Sequence, residues 1–154
     1  MAVRLYRLPV AYDFDDDLRR VDVDAVWQFL VEHAYWGRWR TRRDVDLQVT
    51  GAWRVVGCYD EPLGTMVGFS RATSDGVGLA YLADVFVLPK HRGQGLGQRL
   101  VDVMIEQGPG SDFRWLLHTA DAHGLYGKFG FRAPDETLLE RPHVTARSSE
   151  DHER

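Results

Sequence analysis

Cysteine is almost missing from this 154-residue chain: Cys58 stands alone, which excludes an intrachain disulfide and any cysteine-based metal cluster. It lies in an apolar run and reads as a small core residue. No stretch of about 18 apolar residues occurs, so no membrane-spanning helix is expected. No basic segment followed by an apolar one opens the chain either. MAVRLYRLPVAYDFDDD turns acidic at once, and a cytoplasmic location is expected. Lysine is limited to Lys90 and Lys128 among 19 basic residues, a skew read as codon bias without functional meaning. The formal net charge of -4 gives no general attraction to nucleic acid. What remains is an ordinary globular balance, 44% hydrophobic and 27% charged, sufficient for one packed core. A single domain over residues 1–144 is expected, followed by a polar tail over 145–154 (TARSSEDHER) predicted to be disordered.

Hydrophobic period divides that domain. The polar cluster 13–17 reads as a loop. Asp22 precedes Val23, Val26, Trp27, Leu30 and Val31 at helical spacing, which predicts a helix over 23–34. An aromatic and basic stretch follows, and Thr41 can cap a second helix through Val49, ended by Gly51. The period then changes. Residues 53–59, 65–71 and 78–88 read as strands of an antiparallel meander, with turn chemistry between them and Pro89 as a stop. A wide apolar face over 96–107 predicts the strongest helix. A strand over 114–119, a short helix over 122–129 and a last strand from Phe131 complete the pattern. The fold class is therefore α/β (α+β, mixed sheet): antiparallel strands, then a β-α-β crossover.

The most informative residues lie between the strongest strand and the strongest helix: His91-Arg92-Gly93-Gln94-Gly95-Leu96-Gly97-Gln98. Alternate glycines let the backbone turn tightly and expose its N–H groups. The helix that follows adds unpaired amides and a positive dipole end, so the segment suits a phosphate or pyrophosphate. A kinase-type loop would need Gly-Lys-Ser/Thr, which is absent. A dinucleotide fingerprint would need G-x-G-x-x-G directly after a first strand, whereas here the spacing is G-x-G-x-G after some 90 residues.

Arg92-x-x-Gly95-x-Gly97 resembles the Q/R-x-x-G-x-G/A signature of the GNAT superfamily of N-acetyltransferases. Leu125-Tyr126-Gly127-Lys128-Phe129-Gly130-Phe131 is similar to that superfamily's L-Y-x-K-x-G-F segment. The resemblance covers roughly residues 53 to 132. It implies a GNAT-like fold with a splayed central strand and acetyl-CoA as cosubstrate. It further implies that the segment from Arg92 through Gly93, Gln94, Gly95, Leu96 and Gly97 to Gln98 holds the pyrophosphate, and that the main chain of Val85, Phe86 and Val87 pairs with the pantetheine arm. Where the family often has Asn, seven residues before the motif tyrosine, this chain has Thr119, whose hydroxyl can replace part of that hydrogen bonding.

Acetyl transfer to an amine needs a neutral nucleophile. An alkylamine with a pKa near 10.4 is neutral in about one part in a few thousand at pH 7, a cost of roughly 4–5 kcal/mol, so a proton acceptor or a desolvating pocket helps. Asp84, inside the strand just before Val85, is the candidate base, directly or through water; the alternative is a residue that orients a neighbour. A backbone N–H near Val87 can hold the acyl oxygen. The resemblance implies that Tyr126 protonates the departing thiolate, against the plainer reading of a core aromatic. Tyr35, Trp36 and Trp39 fall where the family builds its acceptor-side wall, and they can equally be helix packing. If one of Arg38, Arg40, Arg42 or Arg43 faces the acceptor, a carboxylate-bearing substrate is favoured. His118, Asp121 and His123 cluster without metal-site spacing; no metal is expected, and His123 is a candidate substrate contact. The expected partner is a small-molecule amine, with no nucleic acid and no membrane, and a homodimer is compatible with the sequence. The competing readings are a protein lysine or N-terminal acetyltransferase and a non-catalytic acetyl-CoA sensor.

Overall fold

The computed structural model describes residues 11–33, 39–61 and 63–144. The chain divides into two compact units, Met1–His118 and Thr119–Arg154. In the first unit, β1 (Tyr12–Asp15) and a 3-10 turn (Leu18–Arg20) precede α1 (Val23–His33) and α2 (Arg42–Thr50). Next come β2 (Arg54–Asp60), β3 (Met66–Ser74), β4 (Leu79–Val87), a second 3-10 turn (Pro89–His91), α3 (Leu96–Met104) and β5 (Arg114–Leu116). The second unit contributes α4 (His123–Gly127). The five strands form one sheet in sequence order, with β1 to β4 antiparallel and β5 parallel to β4. This is the mixed sheet the sequence calls for, with β4-α3-β5 as its crossover.

Local chemistry accounts for the helix starts. Asp22 Oδ1 accepts the Ala25 N–H at 3.0 Å. Thr41 and Asp44 form a reciprocal capping box at the head of α2, which satisfies two otherwise orphaned donors. One sheet face packs on α1 and α2: Val26, Phe29, Leu30, Val45 and Val49 close over Val55, Tyr59, Met66, Phe69 and Phe86. Phe29 stacks on Phe86 with centroids 4.0 Å apart. The other face takes α3, whose Leu100, Val101 and Met104 are fully enclosed. Each such side chain contributes about 1.5–3 kcal/mol on burial. α3 comes so close to β3 that a Cβ on Gly68 would stand 3.1 Å from Leu100 Cδ1. Cys58 is core, as read, and desolvation pushes its thiol up to about 11.

Two expectations fail. Residues 13–17 do not all form a loop: Tyr12–Asp15 pairs with β2, Phe14 opposite Cys58. The alternation Tyr12-Asp13-Phe14-Asp15 is a strand pattern hidden by its charge, because Arg20 binds both Asp13 and Asp15 on one side while Arg99 lies over Phe14. Nor does Phe131 open a strand. Gly130 adopts φ 82, and the N–H groups of Gly130 and Phe131 return to the carbonyls of Gly127 and Tyr126, both at 3.2 Å. That pair of bonds is a Schellman stop, completed by the edge-on contact of Tyr126 with Phe131. β5 is also shorter than expected, ending at Leu116 opposite Tyr81. The remainder of β4 runs on past it to Val87.

Candidate active site

β4 changes register where it matters. Arg71 pairs with Ala83 and Phe69 with Phe86, so Asp84 and Val85 together oppose Ser70. Asp84 is the non-glycine residue with a positive φ, 54°, among the described residues. Such a bulge inserts one residue and exchanges the faces of everything beyond it. Phe86 thereby joins the core under α1, and the Asp84 side chain turns to the same face.

There it meets two arginines. Arg40 Nη2 donates to Asp84 Oδ1 and Nη1 to Oδ2, each at 2.8 Å, and Nη1 also reaches Gln48 Oε1. Arg71 Nε donates to Asp84 Oδ2 at 2.6 Å. All three side chains are nearly enclosed: Asp84 is 3% exposed, Arg40 8% and Arg71 11%. Burial alone would push this carboxyl up, but the hydrogen bonds and charges of Arg40 and Arg71 outweigh it and hold it below the ordinary carboxylate range. This favours the alternative reading of Asp84, a residue that orients its neighbours, over that of a base. A carboxylate clamped by two guanidinium groups is a weak proton acceptor and a good orienting group.

The glycine loop follows β4. Arg92 Nε donates to the Val87 carbonyl at 3.0 Å and anchors the loop to the strand end. Gln94 Nε2 reaches Tyr12 Oη, which also bonds His91 Nδ1. Gly93 and Gly95 sit at φ 80 and 76, where an L side chain is strained, and a Cβ on either would meet open space. Gly95 caps α3 without any side-chain bond. The Arg92 amide is occupied by the Pro89 carbonyl. Those of Gly93, Gln94, Gly95, Leu96 and Gly97 donate to no group among the described residues. Five consecutive unpaired amides at the positive end of a helix form a nest able to hold a multiply charged anion. That is the arrangement a pyrophosphate needs, so the residues present fit the expected cosubstrate.

The other anticipated residues are dispersed. Tyr35, Trp36 and Arg38 lie outside the described residues. Trp39 is 47% exposed. Arg42 is committed to Asp24 and Asp46 and Arg43 is exposed, so among the described residues Arg40 is the inward-facing member of the group. In the second unit, Thr119 Oγ1 accepts the Ala122 N–H at 3.0 Å ahead of α4. His123 is exposed at the start of α4, and Tyr126 is buried in it. Two features escaped the sequence reading. Arg71 is one; a charge inside the apolar run of β3 was its available signal. The other is the hydrogen bond between Tyr81 Oη and His118 Nδ1, placed where β5 leaves β4, which only the pairing of distant segments reveals. Among the described residues no group of His, Cys, Asp or Glu could hold a metal, and no helix is long and apolar enough to cross a membrane.

The fold is a mixed α/β sheet whose fourth strand bulges, outruns its parallel neighbour and feeds an anion-binding glycine nest at a helix start. The comparisons agree on its family. Residues 31–131 match the acetyltransferase (GNAT) family, and the chain belongs to that family. A provisionally named acetyltransferase of Gibberella zeae is 34% identical over 107 residues, 68% of this chain; the chain spans 58% of that curated relative's length. A GNAT-family structure from Xanthomonas campestris pv. campestris superimposes with a TM-score of 0.80 at 31% identity, covering 86% of this chain and 94% of the other. The fold is shared too with a Clostridium acetobutylicum protein solved with acetyl-CoA, at a TM-score of 0.61 and 14% identity, covering 86% of this chain and 96% of that one.

Proposed function

We propose that this chain is an acetyl-CoA-dependent N-acetyltransferase acting on the primary amine of a small, amino-acid-like molecule. The observation that carries the reading is the run of unpaired amides from Gly93 to Gly97 at the head of α3, in a chain that belongs to the GNAT family. That match covers residues 31–131 and so includes residues of both units, which supports a functional domain spanning that range.

Bound acetyl-CoA would supply the activated acyl group. The chain's own part is to orient and to handle charge. The nest, with Leu96 buried beneath it, takes the pyrophosphate, and Gln98 and Arg92 flank it. The end of β4, Val85 to Val87, offers its main chain beyond the end of β5, the condition for pairing with an extended pantetheine arm. A main-chain N–H near Val87 takes the charge that develops on the acyl oxygen. Tyr126 supplies the proton to the departing sulfur, and Thr119 contributes a hydroxyl. Asp84 orients its arginine partners, so the amine's proton leaves through water. The family resemblance assigns the acceptor wall to Tyr35, Trp36 and Trp39, and His123 is a further candidate substrate contact.

The test is calorimetric titration with acetyl-CoA, CoA and NAD, followed by thiol release with a panel of amines, for wild type and Tyr126→Phe. Acetyl-CoA binding with amine-dependent release is expected, with turnover in Tyr126→Phe reduced about 10²–10⁴-fold, the usual worth of a general acid, at unchanged acetyl-CoA affinity. Binding without release for any amine would favour a non-catalytic sensor. No binding of either CoA species would end the reading.

A further inference from the structure

The Arg40–Asp84–Arg71 cluster is unbalanced. Among the described residues it holds two guanidinium groups, one carboxylate and the neutral Gln48 amide, a net positive charge in a nearly enclosed place. Interior charges are costly unless compensated, so a cluster serving only the fold would be expected to match its charges. The imbalance falls on one residue. Arg40 spends both terminal nitrogens on Asp84 and Gln48. Arg71 spends only Nε, on Asp84 Oδ2. Its Nη1 and Nη2 donate to nothing among the described residues, yet they are not among the buried unpaired atoms, which are Arg40 Nε, Arg54 Nε and Tyr59 Oη. The terminal nitrogens of Arg71 are therefore not fully covered, at the accessible edge of a side chain that is 11% exposed.

Its position gives the exposed end a purpose. Arg71 pairs with Ala83, next to Asp84 and just before Val85, where the pantetheine segment is proposed to begin. It shares its sheet face with Phe69, and Arg40 approaches that face from the start of α2. Asp84, turned to this face by the bulge, grips Nε and fixes the plane of the guanidinium. A fixed planar fork with two free terminal nitrogens is the geometry that takes an oxyanion bidentately.

We propose that Arg71, oriented by Asp84, anchors an oxyanion group, a carboxylate or a phosphate, carried by the amine acceptor. This rests on the N-acetyltransferase reading for its use, but the anion site is testable without turnover. The CoA-bound full-length protein is titrated calorimetrically with free amino acids of apolar, acidic and basic type and with their carboxamides. O-phosphoethanolamine beside ethanolamine forms a second arm. At least one anionic amine is expected to bind 10-fold or more tightly than its neutral counterpart, and Arg71→Gln is expected to erase that difference. Arg71→Lys, which keeps the charge but not the fork, should retain part of it. Unchanged acetyl-CoA affinity verifies that both variants fold. Preference for carboxylate identifies an amino-acid-type acceptor, and preference for phosphate a phosphorylated amine; either supports the site. Equal binding of anionic and neutral amines by wild type, or a preference that survives Arg71→Gln, overturns it. Thiol release measured in parallel separates the two readings. Discrimination without release removes the transferase and leaves the anion site, whereas release without discrimination does the reverse.

Discussion

Replacing Asp84 by asparagine tests the reassignment of this residue from base to orienting group. Asparagine tolerates the left-handed backbone at φ 54 and keeps nearly the same shape, so the substitution isolates charge. It leaves Arg40 and Arg71, 8% and 11% exposed, without a counter-ion. Breaking a buried pair from one side costs about 3–5 kcal/mol, which for a domain of this size lowers Tm by roughly 6–20 °C. The pH dependence has a definite sign. Asp84 binds its proton less tightly in the folded protein than in the unfolded chain, so its contribution is fully present above the ordinary carboxylate pKa near 3.9. It is lost as pH falls from there through the lower folded value. Denaturant titrations of both proteins should therefore run a constant distance apart from pH 7 to about 5 and converge in acid. A loss under about 1 kcal/mol in Asp84→Asn, the range of an exposed pair, or a gap that widens in acid, would refute the reasoning.

Tyr59→Phe should leave stability unchanged or raise it by about 1 kcal/mol in chemical denaturation. The Tyr59 hydroxyl is buried without a partner, and desolvation pushes its pKa up to about 12. Gly95→Ala meets no atom within 4 Å but must hold φ 76. It should cost about 1–2 kcal/mol of stability and weaken acetyl-CoA binding by calorimetry, because a side chain disfavours the left-handed turn that aligns the amides of the nest. Unchanged affinity in that variant would place the pyrophosphate elsewhere.

Much of this protein was legible in the chain itself, because local rules carry it. The caps at Asp22 and Thr41, the three strands of the meander and the apolar face of α3 depend on neighbours a few residues away, and the glycine loop is a contiguous signal. The hidden parts share a physical cause. β1 is a strand only because β2 offers it an edge and Arg20 neutralises its aspartates. Phe131 looks like a strand residue until Gly130 turns back on Tyr126. Asp84 invited the role of base because its position beside Val85 was visible, while its partners, 44 and 13 residues distant in sequence, were not. Residue types and short spacings determined the elements, the nest and the family resemblance. Only the tertiary structure decided that a one-residue bulge turns Asp84 to the face of α1 and α2. There two arginines lower its basicity and leave the terminal nitrogens of Arg71 without a partner among the described residues.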